Sequence, residues 1–195
     1  MPTTAADFFA TRLSYPYKAM TGTAPDRAAL TAILTAALRV PDHGKLEAWR
    51  LIVLQRPDLA RLADLAEARA REMGGDEQKV AKGRGQFDLG HLVVAVISSP
   101  KPSDKAPLIE QLLSAGALCM NLVNAAAAAG WGAQWLTGWP ALDADFAARA
   151  FGCTGEEQVA GLIHIGQMGA AATDRPRPDL ARVVAWGLKG PGGLA

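Results

Sequence analysis

The feature that most narrows what this chain can become is the run from about Pro107 to Ala129, apolar on nearly every side, rich in alanine and carrying Gly116. A helix that is hydrophobic all round must be wrapped by protein rather than laid on a surface. Glu110, Gln111, Asn121 and Asn124 interrupt it, which argues against a membrane span. Its small side chains let another backbone come close, either inside the core or across an interface between two copies of the chain.

Shorter elements surround that helix. Ala5 to Leu13 reads as a helix capped at Thr3 or Thr4, with Phe8, Phe9 and Leu13 toward a core. Pro25-Asp26 opens a second, in which Leu30, Ile33, Leu34, Ala37 and Leu38 recur at helical spacing until Pro41. Asp58 to Met73 and Asp143 to Phe151 complete the set, the latter closed by Gly152. Leu51 to Gln55 and Leu92 to Ile97 are apolar runs of strand length, the first predicted to be buried on both faces. Ala133 to Leu136 and Val159 to Ile165 supply two more strands. From Gly74 to Gly90 the chain turns polar and glycine-rich, the pattern of a mobile flap or a solvent-facing excursion. An apolar segment from Leu180 to Trp186 precedes a glycine-rich end expected to fray.

With 195 residues, half of them apolar, and no repeat or long linker, the whole chain is expected to form one domain. A net charge of +1, with lysine and arginine scattered among acids, gives no footprint for nucleic acid or for an anionic membrane. Cys119 and Cys153 are far apart and outside any Cys-x-x-Cys pair, so they read as buried free thiols. Met1 to Tyr17 includes Asp7 and lacks the form of a signal peptide, which makes a cytoplasmic location the expectation.

Familiar catalytic signatures are missing. No dinucleotide fingerprint, phosphate loop or nucleophile elbow is present, and His43, His91 and His164 lack metal-ligand spacing. His164 alternates with apolar neighbours and reads as a satisfied core histidine. What remains is a set of cations and hydroxyls at the ends of elements: Arg12, Ser14, Arg39, His43, Thr137, Arg175 and Arg177. Arginine binds phosphate through a planar fork, and a hydroxyl adds a short hydrogen bond. Together with the tryptophans, these suit a phosphorylated aromatic cofactor.

Four motifs then carry a resemblance. Arg12-Leu13-Ser14 follows a short helix, and Pro41-Asp42-His43-Gly44-Lys45-Leu46-Glu47-Ala48-Trp49-Arg50 precedes a strand. Gly130-Trp131-Gly132-Ala133-Gln134-Trp135 follows the alanine-rich helix, and Arg175-Pro176-Arg177 lies near the end. In this order they resemble the FMN-dependent nitroreductase family, and the Pro-Asp-His loop is similar to its compact NAD(P)H nitroreductase subgroup. The resemblance implies an α+β sandwich, a mainly antiparallel sheet flanked by helices, that dimerises through its long central helices with FMN at the subunit interface.

By the same resemblance, Arg12, Leu13 and Ser14 meet the FMN phosphate and ribityl chain, and Arg175 with Arg177 clamps the phosphate. Arg39, His43 and Lys45 line the cofactor from the Pro-Asp-His loop. Trp135, Leu136, Thr137 and Gly138 border the ring from the partner chain. Leu13 stands where many relatives carry a second basic residue, and Lys45, Glu47 and Ala48 stand where members often have Asn, Gln and Pro. Lysine only donates hydrogen bonds, whereas asparagine also accepts.

The implied activity is hydride transfer from NADH or NADPH through FMN to a small acceptor, a nitroaromatic, quinone or enone, by a ping-pong mechanism. No protein nucleophile is needed, and Lys45 or Arg50 is the cation available to favour the reduced, anionic flavin. Two other readings stay open: an FMN-holding dimer without turnover, and a structural dimer without cofactor. Trp49 reads either as a cap on the core or as part of the loop's function, and Trp131, Trp135 and Trp139 either as interface packing or as flavin contacts.

Overall fold

A computed structural model describes residues 4–170 and 172–187. In chain order the elements are α1 (Ala5–Thr11), β1 (Met20–Thr21), α2 (Arg27–Ala37), β2 (Trp49–Leu54), α3 (Arg56–Glu72), α4 (Glu77–Asp88) and β3 (Leu92–Ser98). They continue with α5 (Leu108–Ala128), β4 (Gly132–Leu136), α6 (Trp139–Leu142), α7 (Ala144–Phe151), β5 (Gln158–Met168) and α8 (Leu180–Val183).

The strands form one antiparallel sheet around β5, which pairs with β3 on one edge and with β4 on the other. Strand β1 extends the far end of β5 through Met20 opposite Met168, and β2 closes the sheet beside β3. Alternation along β3 divides the core. Val93, Ala95 and Ile97 face α3, α4 and α7, joining Leu59, Leu62, Phe87, Phe146 and Leu162. Leu92, Val94 and Val96 face α2 and α5, joining Leu30, Ile33, Leu118, Leu122, Ile163 and Ile165. The result is a sandwich of helices, sheet and helices.

Among the described residues α5 is the one helix long and apolar enough to cross a membrane, but it lies against β3, β4, β5 and α2 as a core helix. Polar groups on it are used locally: Asn121 donates to the Ala37 carbonyl at 2.9 Å, and Ser114 donates to the Pro41 carbonyl at 2.6 Å. These bonds fasten the end of α2, and the loop after it, along α5.

The pairing of β5 with β3 skips Ala160, since Val96 lies opposite Gly161 and Ile97 opposite Val159. The indole N–H of Trp135 donates to the Ala160 carbonyl at 3.1 Å. Its ring lies so close over Gly161 that a Cβ there would sit 2.2 Å from the indole nitrogen. Only glycine lets the indole lie on the strand.

Three expectations about elements are corrected. Gly74 to Gly90 is no flap: Asp76 caps α4 by accepting from Lys79 N at 2.8 Å, and Val80, Gly83 and Phe87 are buried against α3. Arg84 ties the two helices together through Asp64 at 2.8 Å and Glu67 at 3.0 Å. Strand β2 is not buried on both faces, because it lies at the sheet edge with Val53 exposed. Helix α1 ends at Thr11 and buries nothing, and Phe9 is 63% exposed. The apolar segment from Leu180 turns once as a helix but leaves Leu180, Val183 and Trp186 exposed. The glycine-rich end and Thr3 lie outside the described residues.

His164 is buried as expected, but it is not satisfied: neither ring nitrogen has a partner among the described residues, and the Tyr17 ring lies 4.9 Å away. Burial, with a smaller contribution from His91, pushes its pKa down to about 4.

Two predictions follow from this packing. In α4, a Cβ at Gly83 would come within 2.3 Å of the Trp139 ring, while one at Gly85 meets nothing within 4 Å. Gly83→Ala should therefore destabilise by about 1–3 kcal/mol. Gly85→Ala should stabilise by roughly 0.5–1 kcal/mol, and urea unfolding of both variants reads the opposite signs. For His164 the native state resists protonation that the unfolded chain accepts at pH 6.5, so stability is complete above that pH and falls as acid is added toward about 4. The loss from this group should approach about 3 kcal/mol, and His164→Leu should flatten that part of the stability-against-pH curve.

Candidate active site

A cleft of about 600 Å³ opens where the chain leaving α1, the start of β4 and the segment 173–178 meet. Helix α1, whose far end leads into it, starts from a reciprocal cap, Asp7 N to Thr4 Oγ1 at 3.1 Å and Thr4 N to the Asp7 carboxylate at 3.0 Å. At Arg12 the backbone turns extended, and the chain is then stitched to β4. Tyr15 N donates to the Ala133 carbonyl at 2.9 Å, and Tyr17 N donates to Gln134 Oε1 at 2.7 Å. The Tyr15 hydroxyl donates to the Ala170 carbonyl, which ties the segment after β5 to the same place.

Arg12, Ser14, Arg175 and Arg177 all line this cleft, so the structure brings together two pairs of residues from distant parts of the sequence. An Arg12 Nη2 donates to Ser14 Oγ at 3.3 Å, while Arg12 Nε is buried without a partner among the described residues. Arg177 donates to the Ala10 carbonyl and approaches Asp174 at 3.6 Å. Asp174 is the one carboxylate among the residues lining the cleft, against three guanidinium groups. Cations thus outnumber the acid, and an anion is the ligand this wall accepts. Leu13 adds apolar surface to the same wall.

The β4 motif divides. Trp135 turns to the α5 side, 37% exposed, with its ring near Gly116. Leu136 and Thr137 continue past Gln134 to Gly138, where a Cβ would strike the Gln86 amide at 2.0 Å. Trp139 belongs to the core, donating to the Lys79 carbonyl at 3.2 Å. Trp131 packs against the apolar cluster beneath α2 and α5.

The Pro-Asp-His loop stands elsewhere. His43 Nδ1 lies 2.7 Å from Glu110 Oε2 near the start of α5, whereas Arg12 shares an apolar pocket with Ala127 near its end. At ~1.5 Å per residue those two positions on α5 are about 25 Å apart. Arg39, whose carbonyl accepts from Asn121 at 3.2 Å, sits between them. Within one chain, His43 and Lys45 do not join the Arg12 cleft.

That loop is built under strain. Gly44, Lys45 and Glu47 all have positive φ, at 70°, 54° and 49°. For the two non-glycine residues this is uncommon, and such strain gathers at functional loops. Asp42 holds it closed, accepting from Glu47 N at 2.8 Å, and Trp49 donates to Ser114 at 3.2 Å from the loop's far end. Trp49 therefore both caps the core and anchors the loop. Lys45 has no ion-pair partner among the described residues.

Arg50 drops out as a candidate cation. Its guanidinium forks onto Glu157 at 2.8 and 2.9 Å and donates to the Phe151 carbonyl at 3.0 Å. That pairing holds the Glu157 carboxyl down to about 2. Cys119 is buried, with its thiol pushed up to about 12 by desolvation, and burial raises Cys153 as well. Among the described residues no cluster of His, Cys, Asp and Glu is placed to hold a metal.

Sequence reasoning passed over two residues. Gln134 lines the cleft, and its only sign was its place inside the β4 motif. Glu110 faces His43 from 67 residues away, and nothing in the local sequence signals that pairing.

The fold and sequence have known counterparts. A protein from Haemophilus influenzae named "Putative NAD(P)H nitroreductase" is 34% identical over 151 residues, covering 76% of this chain and 81% of that protein. A nitroreductase-like family protein from Bacillus cereus superimposes with a TM-score of 0.75 at 21% identity, over 95% of this chain and 97% of the other. A variant of an FMN and NADPH-dependent nitroreductase from Sphigopyxis sp. strain HMH gives a TM-score of 0.73 at 18% identity, over 94% and 98% of the two chains. The Nitroreductase family model matches residues 15–167, a span that runs from the Tyr15 stitch through the end of β5. The cationic cleft thus belongs to a chain that is a member of the nitroreductase family.

Proposed function

We propose that residues 1–195 form a single FMN-binding domain, active as a cytoplasmic homodimer that oxidises NADH or NADPH and reduces a small acceptor such as a nitroaromatic, quinone or enone. The observation that carries this reading is the donor set of the cleft. Among the described residues Arg12 Nε is buried without a partner, and Arg175 and Arg177 line the same cleft with Ser14. An unmet buried donor is costly, and a phosphate tail satisfies it. The residues fit FMN, which the name of the Sphigopyxis structural neighbour also carries. FMN, when bound, would supply the two-electron redox chemistry that links nicotinamide oxidation to reduction of the acceptor.

The chain's own part is to hold and to expose. Arg12, Ser14, Arg175 and Arg177 anchor the phosphate, and Thr137 and Gly138 border the ring. Lys45, unpaired among the described residues, is the ammonium left to stabilise negative charge on the ring. Since His43 and Lys45 lie far along α5 from the cleft, a second copy related by a two-fold axis is the simplest way to complete the site. The outer face of α5 supports that assembly: Ile109 is 58% and Leu113 64% exposed, in line with the small residues Gly116 and Ala117.

The purified protein should be yellow, and anaerobic NADPH should bleach it within the time of one turnover. Initial rates against both substrates should give parallel double-reciprocal lines. Persistent colour would leave an FMN store without turnover, and a demonstrated ternary complex would exclude the alternating mechanism. Leu113→Arg, at an exposed position, should leave the fold intact by circular dichroism while yielding a monomer that has lost its flavin.

A further inference from the structure

We infer that Gln134 is a flavin-binding residue: with its amide orientation locked by Tyr17, it presents a hydrogen-bond donor to the sugar-alcohol chain of the flavin. This rests on the proposed FMN site and adds a residue to it.

The lock comes from the backbone. Tyr17 N is a donor, so the atom facing it at 2.7 Å must be the amide oxygen of Gln134. Gln134 Nε2 is then the free end. It has no partner among the described residues, and Gln134 lines the cleft. An unlocked glutamine would offer either a donor or an acceptor by rotating its amide, whereas this one offers a donor only.

Its place along the cleft selects the part of the ligand it meets. Arg12, Arg175 and Arg177 line the same cleft as Gln134, and β4 carries the chain on from Gln134 to Leu136 and then Thr137 and Gly138, so this chain's own turn, rather than a partner's, is the one next to the cleft. The phosphate belongs with the guanidinium groups and the ring with the turn. The hydroxyl-bearing chain between them lies across Gln134, and its oxygens accept from an N–H.

Gln134→Glu isolates this role. A carboxylate still accepts from Tyr17 N, so the stitch between the chain after α1 and β4 survives, but the free donor becomes an anionic acceptor. Affinities for FMN and for riboflavin, which lacks the phosphate, should both fall at least tenfold in fluorescence titrations, with thermal stability unchanged. Gln134→Leu should lose the same donor and also the stitch, lowering both affinity and melting temperature. Arg12→Ala serves as comparator, weakening FMN but not riboflavin.

If Gln134→Glu weakens FMN and leaves riboflavin untouched, the effect is charge acting on the phosphate and the inference fails. Unchanged affinity for both flavins in Gln134→Glu and Gln134→Leu overturns it as well. A wild-type protein that binds no FMN, or an Arg12→Ala variant that binds it normally, strikes at the cofactor site itself and takes the Gln134 role down with it.

Discussion

The structure depends on β5 being hydrogen-bonded along both edges. Its inner residues send side chains alternately to the two cores, Leu162 to one and Ile163 and Ile165 to the other. Its flanks hold β3 and β4, and through β4 the Arg12 segment is positioned. A strand buried this way has no freedom to slip, because moving by one residue would exchange its two faces. The cleft inherits that rigidity, since Tyr15 and Tyr17 are bonded to β4 rather than to a loop.

Much of this was legible in the sequence where hydrophobic pattern alone decides the outcome. The all-round apolarity of α5, the runs at Leu92 and Val159, and the stops at Pro41 and Gly152 each report a local fact, and the structure agrees with them. Helix α4 escaped because its interior holds Gly83 and Gly85 among charges. Gly83 is there to let Trp139 close, a reason that lies 56 residues away. The edge position of β2 escaped because strand order is a property of the whole sheet. Its apolar run looks no different from that of a central strand.

The candidate site shows the same division. The family resemblance brought Arg12, Ser14, Arg175 and Arg177 forward, and one cleft holds all four. Composition could not distinguish Arg50, committed to Glu157, from Lys45, which is unpaired among the described residues, because a salt bridge across 107 positions leaves no local trace. Nor could it divide the charged loop from the cleft, since in sequence both are simply polar breaks between elements. The strain at Lys45 and Glu47 appears only in the backbone, and Asp42 and Trp49 are the restraints that make it tolerable.

The skipped residue at Ala160 ties the middle of the sheet to its surroundings. Its carbonyl is held by an indole whose opposite side is partly open on the α5 face. Whatever comes to rest on that indole therefore leans on the central strand. Pressure on that face and the alignment of β3 with β5 are in this way mechanically joined, and through β5 the strain reaches the ladder that carries the cleft.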